Sequence, residues 1–240
     1  MWIICSKEWK QFFSSLTGYI AIVLFLLLMG LFLFVFPGSN ILEYGYATLD
    51  SFFSLAPWVM LFLVPTITMR SVADEYKTGT FELLKTLPLT NQQVVWGKFF
   101  GCLLVVAIAL LPTIVYAVSI QQLSAKGGID IGGTIGSYLG LLFLGAVYTA
   151  VGICMSSFTN NTVVAFIASA FVCFLLYSGF EALSQLPVFA NGVDYYIQML
   201  GISFHYKSIS RGVVDTRDVL YFVMVIVFFL FITQRNLLKR

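Results

Sequence analysis

Six stretches without a single Asp, Glu, Lys or Arg dominate this chain: Tyr19–Phe36, Ser51–Met69, Phe99–Ile120, Thr134–Phe158, Thr162–Phe180 and Val219–Thr233. A helix that crosses a bilayer needs roughly 20 mostly apolar residues at about 1.5 Å each. The first five stretches reach or approach that length. The sixth is shorter, and a snorkelling Arg235 with Leu237 and Leu238 beyond it extends the span. One such stretch suits a buried core helix, but six in 240 residues leave no polar shell for water. Charged residues make up 10% of the chain, against about 25% in a soluble domain. The expectation is an all-α polytopic membrane protein, a single domain over residues 1–240 with six transmembrane helices. Their expected spans are about 19–36, 51–71, 94–120, 134–158, 162–181 and 218–235.

The first apolar run is longer than the roughly 7–15 residues of a signal-peptide core, and "FPGSN" after it lacks a small-x-small cleavage site. It is expected to stay as a span. Cys5, Cys102, Cys154 and Cys173 are scattered through apolar surroundings with no CxxC pair, so they read as small buried hydrophobes rather than disulfides or metal ligands. His205, the only histidine, has no cluster of Cys, Asp or Glu around it and reads as a plain interfacial residue. No Ser/His/Asp set suggests catalysis, and no metal or cofactor site is expected. A net charge of +2 without a basic run gives no reason to expect nucleic acid as a partner.

Six spans put both ends of the chain on one side. That side carries nine Lys and Arg against four Asp and Glu, and the other carries four against seven. The positive-inside rule makes the termini cytoplasmic. Glu181–Asp218 then lies outside. In "VDYYIQMLGISF" Val193, Tyr196, Ile197, Leu200 and Phe204 share one helical face, which reads as an interfacial amphipathic helix, with a solvated loop as the other reading. Asp215 or Thr216 suits the cap of the sixth span. Pro57, Pro65 and Pro112 fall within spans and either kink them or are simply tolerated. Gly132, Gly136 and Gly140 have the small-xxx-small spacing of a close helix contact, within the chain or between two copies.

Six charged residues crowd into 70–85, on the cytoplasmic side of this topology. Gly79-Thr80 reads as a helix start with Thr80 as N-cap and Glu82 in the first turn. Pro88 ends the helix, and Thr90-x-x-Gln93 is a capping box that starts the next. The result is a short helix between spans two and three that cannot cross the bilayer. Exposed Phe81, Leu83, Leu84 and Leu87, beside Glu82 and Lys85, suit either a groove in another protein or the headgroup layer.

The same residues resemble the hallmark of the ABC-2 type permeases, where span two leads into E-x-x-x-G-T-x-E-x-L, a Leu-Pro pair, and a Gly-Lys entering span three. Here these are Glu75, Gly79-Thr80, Glu82, Leu84, Leu87-Pro88 and Gly97-Lys98, with Tyr76-Lys77 departing from the usual basic residue after the first glutamate. The resemblance covers the whole chain. Its length and "FHYKSISRGVVDTRDVLYF", residues 204–222, are similar to permease subunits of gliding-motility-associated ABC transporters. The resemblance implies a permease in the bacterial inner membrane that pairs with a second copy or another membrane subunit, commonly through spans one and five. It also implies a cytoplasmic ATPase, carrying ATP and Mg, docked on a coupling helix formed by Glu75, Gly79, Thr80, Phe81, Glu82, Leu83, Leu84, Lys85, Leu87 and Pro88.

The chain lacks an ATP site of its own by sequence: Lys85-Thr86 ends a near-miss of the P-loop, with Leu84 where a glycine is required. Besides a permease subunit of an ATP-driven exporter, a membrane anchoring or assembly subunit of a motility or secretion machine fits the same features. A secondary carrier fits less well, because the six stretches lack the ionisable residues that carriers use.

Overall fold

A computed structural model describes residues 1–37, 48–86, 88, 90–124, 128–186, 192–212 and 215–239. Glu43 and Lys126, two of the charges counted on the side away from the termini, lie outside the described residues, as do Leu87, one of the expected docking residues, and the side chain of Lys85. Every regular element described is helical, and six helical stretches are long and apolar enough to cross a membrane: Leu16–Phe34, Asp50–Thr78, Asn91–Leu123, Ile131–Phe158, Thr162–Ser184 and Thr216–Lys239.

The finer elements are α1 (Trp2–Phe13), α2 (Leu16–Phe34), α3 (Asp50–Thr68), α4 (Ala73–Thr78), α5 (Thr80–Thr86), α6 (Asn91–Leu110), α7 (Ile114–Leu123) and α8 (Ile131–Phe158). They continue as α9 (Thr162–Phe174), α10 (Phe180–Ser184), α11 (Val193–Met199), α12 (Ile202–Ile209) and α13 (Thr216–Lys239). A 3-10 turn at Leu111–Thr113 joins α6 to α7, and a π-helical stretch at Leu175–Gly179 joins α9 to α10.

The core is built around α8, which packs on α3, α6, α9 and α13. Its small residues explain the close approach. A methyl on Gly136 would stand 3.0 Å from the backbone of Gly212, and one on Gly140 would stand 3.2 Å from Ile209. The glycine stripe therefore serves a contact inside the chain, with α12 and the turn after it. By contrast α2 and α9 leave broad apolar faces uncovered, among them Val23, Leu24 and Leu27 on one and Val164, Ile167 and Phe171 on the other.

Pro57 and Pro65 do not end α3, which runs through both. Pro57 has no N–H for the carbonyl of Phe53 one turn earlier. The hydroxyl of Tyr206 on α12 donates to that carbonyl at 2.7 Å and replaces the lost bond. Pro112 falls in the 3-10 turn that divides span three.

The segment expected to lie outside, between spans five and six, differs from the single amphipathic helix expected. It breaks at Gly201 into α11 and α12. No residue of α11 is buried, and Val193, Tyr196 and Leu200 of the expected apolar face point outwards. The inward face belongs to α12, through Ile202, Ser203, His205, Tyr206 and Ile209. His205 is consequently not a plain interfacial residue. It is buried with Nδ1 2.7 Å from Asp218 Oδ1 and Nε2 2.9 Å from the carbonyl oxygen of Met199, and its ring stacks on Tyr221 at 3.9 Å.

Candidate functional site

The short helix expected between spans two and three is α5. Span two does not run straight into it. After Thr68 the chain turns, and the hydroxyl of Ser156 on α8 accepts hydrogen bonds from the N–H groups of Val72 and Ala73, at 3.2 and 3.0 Å, while donating to the carbonyl of Met69. Those N–H groups open α4 and have no partner within their own helix. One side chain of span four thus fixes the angle at which α4 leaves span two.

Gly79 closes α4 with φ at 72° in the left-handed region, where a side chain is strained and glycine is not. The sequence suggested Gly79-Thr80 as a helix start with Thr80 as its cap; instead Gly79 is the C-cap of α4, and Thr80 is already the first residue of α5. The capping box is present as expected: Thr90 Oγ1 accepts from the Gln93 N–H and the Gln93 side chain accepts from the Thr90 N–H. It starts α6 at Asn91, eight residues before the apolar stretch of span three.

The expected docking residues divide into two groups. Gly79, Thr80, Glu82, Leu83 and Pro88 are exposed, Leu83 at 68%. Phe81 is not exposed, contrary to expectation: it is buried and packs edge-on against Tyr76 of α4, with ring centroids 4.8 Å apart. Leu84 is half-buried beside it. Phe81 therefore holds α5 onto its own chain. Glu75 is also buried.

Glu75 belongs to an ion cluster that joins three parts of the chain. The ammonium of Lys98 on α6 is fully enclosed. It donates to Glu8 Oε1 on α1 at 2.8 Å and to the carbonyl oxygen of Ser71, and lies 2.9 Å from Glu75 Oε2 on α4. An ammonium has three N–H donors, and three acceptors surround this one. Glu75 Oε1 accepts in turn from Lys7 at 2.6 Å, whose side chain reaches the surface. Two lysines thus balance two glutamates.

The helix α1, absent from the six-span expectation, makes this cluster. It lies along α6 because Gly97 and Gly101 form a shallow track there. A methyl on Gly97 would meet Ile4 at 2.9 Å, and one on Gly101 would meet Glu8 at 2.8 Å. Gly97-xxx-Gly101 is the spacing that could have revealed the contact from sequence alone. Glu8 and Lys98, 90 residues apart, carry no such signal. The six apolar stretches hold no ionisable residue, as read from the sequence, but the helices run beyond them: that of span three includes Lys98, and that of span six carries a buried Asp218 in its first turn.

At the same end Asn236 of α13 donates to the carbonyl of Ser157 at 2.7 Å. Helices α1, α4, α6, α8 and α13 are therefore tied together around the base of α5. Glu75 joins α4 to α1 and span three, and Ser156 joins the start of α4 to span four. A family whose description is ABC-2 family transporter protein matches residues 2–232. No curated protein matches the chain.

Proposed function

The chain belongs to the ABC-2 family of transporters, and from that premise we propose that it is the permease subunit through which a separate ATPase does work on the membrane. One observation carries the reading: α5 stands exposed, and α4, onto which it packs through Phe81 and Tyr76, is clamped to the bundle. The exposed side offers Glu82, Leu83, Thr86 and Pro88 to a partner. Helix α4 is joined by a hydrogen bond to span four and by ion pairs of Glu75 to span three and α1. ATP and Mg belong to the partner chain. The bare faces of α2 and α9 suit a seam with a second permease copy or another membrane subunit. The termini and α5 face the cytoplasm, as the distribution of Lys and Arg favours. The similarity of residues 204–222 to gliding-motility permeases supports a role linked to motility or secretion.

Affinity isolation of the intact protein in mild detergent tests the docking. An ABC ATPase is expected to co-purify with it and to be lost from a Leu83→Asp variant. Recovery of the ATPase at undiminished yield with that variant would refute docking through α5.

A further inference from the structure

At the end of the bundle away from the termini lies a cavity of about 790 Å³, within the size range of small-molecule sites. Its walls come from α3, the start of α8, the π-helical stretch with α10, and α12. Single π-helical turns are rare and concentrate at functional sites. Tyr177 and Ser178 of this one both face the cavity.

The charges around it sort by partner. Lys207 and Glu181 neutralise each other at 2.6 Å. Asp50, Asp130 and Arg211 also line the cavity, are exposed, and have no ion-pair partner among the described residues. Asp130 uses a carboxylate oxygen to cap α8 through the Gly133 N–H, and Arg211 uses Nε on the carbonyl of Lys207. The rest of the wall mixes small polar residues such as Ser54, Thr134 and Ser137 with the aromatic rings of Phe53, Trp58 and Tyr177, Trp58 and Tyr177 lying edge-on at 5.4 Å. Trp58 also touches Phe174, which does not line the cavity and is exposed on the apolar outer surface of span five.

We propose that this cavity binds the headgroup of a zwitterionic amphiphile, with its ammonium at Asp50 and Asp130, its anionic group at Arg211, and its chain leaving past Trp58. A purely anionic headgroup would meet the carboxylates of Asp50 and Asp130, and a purely cationic one would meet Arg211. Aromatic faces favour an ammonium and an alkyl chain together. Trp58 is itself exposed, and Phe174 beside it lies on the apolar outer face of span five, so a chain passing Trp58 runs onto a surface suited to lipid. Binding here is a property of this chain alone and does not depend on a docked ATPase.

Native mass spectrometry of the purified, intact protein in detergent tests it, with lysophosphatidylethanolamine as probe and lysophosphatidylglycerol as the anionic comparison. The expected result is one saturable adduct of the zwitterionic lipid, weaker by at least about five-fold for the anionic lipid and for Asp50→Asn or Arg211→Gln. Both substitutions sit at exposed positions, and unchanged thermal melting would verify the fold. Equal binding of the two lipids, undiminished binding in both variants, or adducts that never saturate would overturn the proposal. Displacement by free O-phosphoethanolamine at the lipid's own concentration would make the ligand a soluble zwitterion and overturn it equally.

Discussion

Lys98 holds Glu8 at 2.8 Å inside the protein, an ion pair set into the packing of the first helix along the third span. Neither residue can be removed quietly. Deleting one partner of a buried ion pair leaves the other charge uncompensated, at about 3–5 kcal/mol. Lys98→Met is expected to lower thermal stability in detergent by an amount in that range. Combining it with Glu8→Gln and Glu75→Gln is expected to recover part of the loss. A triple variant less stable than Lys98→Met alone would refute the cluster as a coupled unit.

Phe81 and Leu83 are two residues apart on α5 and are expected to fail differently. Leu83 is exposed, so Leu83→Asp should shift stability by no more than about 0.5 kcal/mol while losing the ATPase. Phe81 is buried, so Phe81→Ala should cost about 3 kcal/mol. Thermal melting alongside co-purification separates the two effects.

Gly79 isolates backbone strain from crowding. A methyl placed there has nothing within 4 Å, yet φ is 72°. Gly79→Ala should therefore cost about 1–2 kcal/mol through conformation alone. Gly79→Pro, which cannot adopt a positive φ, should abolish the turn between α4 and α5 and with it ATPase recovery.

Tyr206→Phe should leave the carbonyl of Phe53 unpaired and cost about 1–3 kcal/mol. In a Pro57→Ala background the helix regains its own N–H, and the same substitution should cost less. Burial pushes the Tyr206 hydroxyl well above the ordinary tyrosine range. A group whose pKa rises on folding contributes fully below its unfolded value, about 10, and loses that contribution only as pH climbs through the raised one. The gap in melting temperature between wild type and Tyr206→Phe should stay level from about pH 6 to 10.

The proposed topology is open to a labelling test because all four native cysteines are buried and should be silent. A cysteine at exposed Tyr196 on α11 should react with a membrane-impermeant maleimide added from outside the cell. Reaction only after the cytoplasmic face is opened would invert the assignment.

The spans were legible because hydropathy over 18 or more residues is a local signal, and the capping box at Thr90 and Gln93 was readable because its partners are neighbours. Helix ends were less so: α6 starts well before its apolar stretch because polar residues cap and solvate its first turns. Helix α1 escaped notice since its 12 residues mix Trp and Ile with Lys and Glu and resemble a charged tail. Phe81 could not be assigned from sequence, because inward and outward positions on a seven-residue helix differ only by what its neighbour, Tyr76, presents to it. The partner of Lys98 was hidden for a plainer reason. Ion pairs between residues 90 positions apart leave no periodicity to read.

The cluster beneath α5 has a further consequence. Lys7, Lys98, Glu8 and Glu75 sum to zero formal charge. Each uncompensated elementary charge carried across the bilayer exchanges about 2.3 kcal/mol with a potential of about 100 mV. A neutral quartet exchanges none, so in the proposed stroke the resting voltage of the cell does no net work on these four residues as long as they move together.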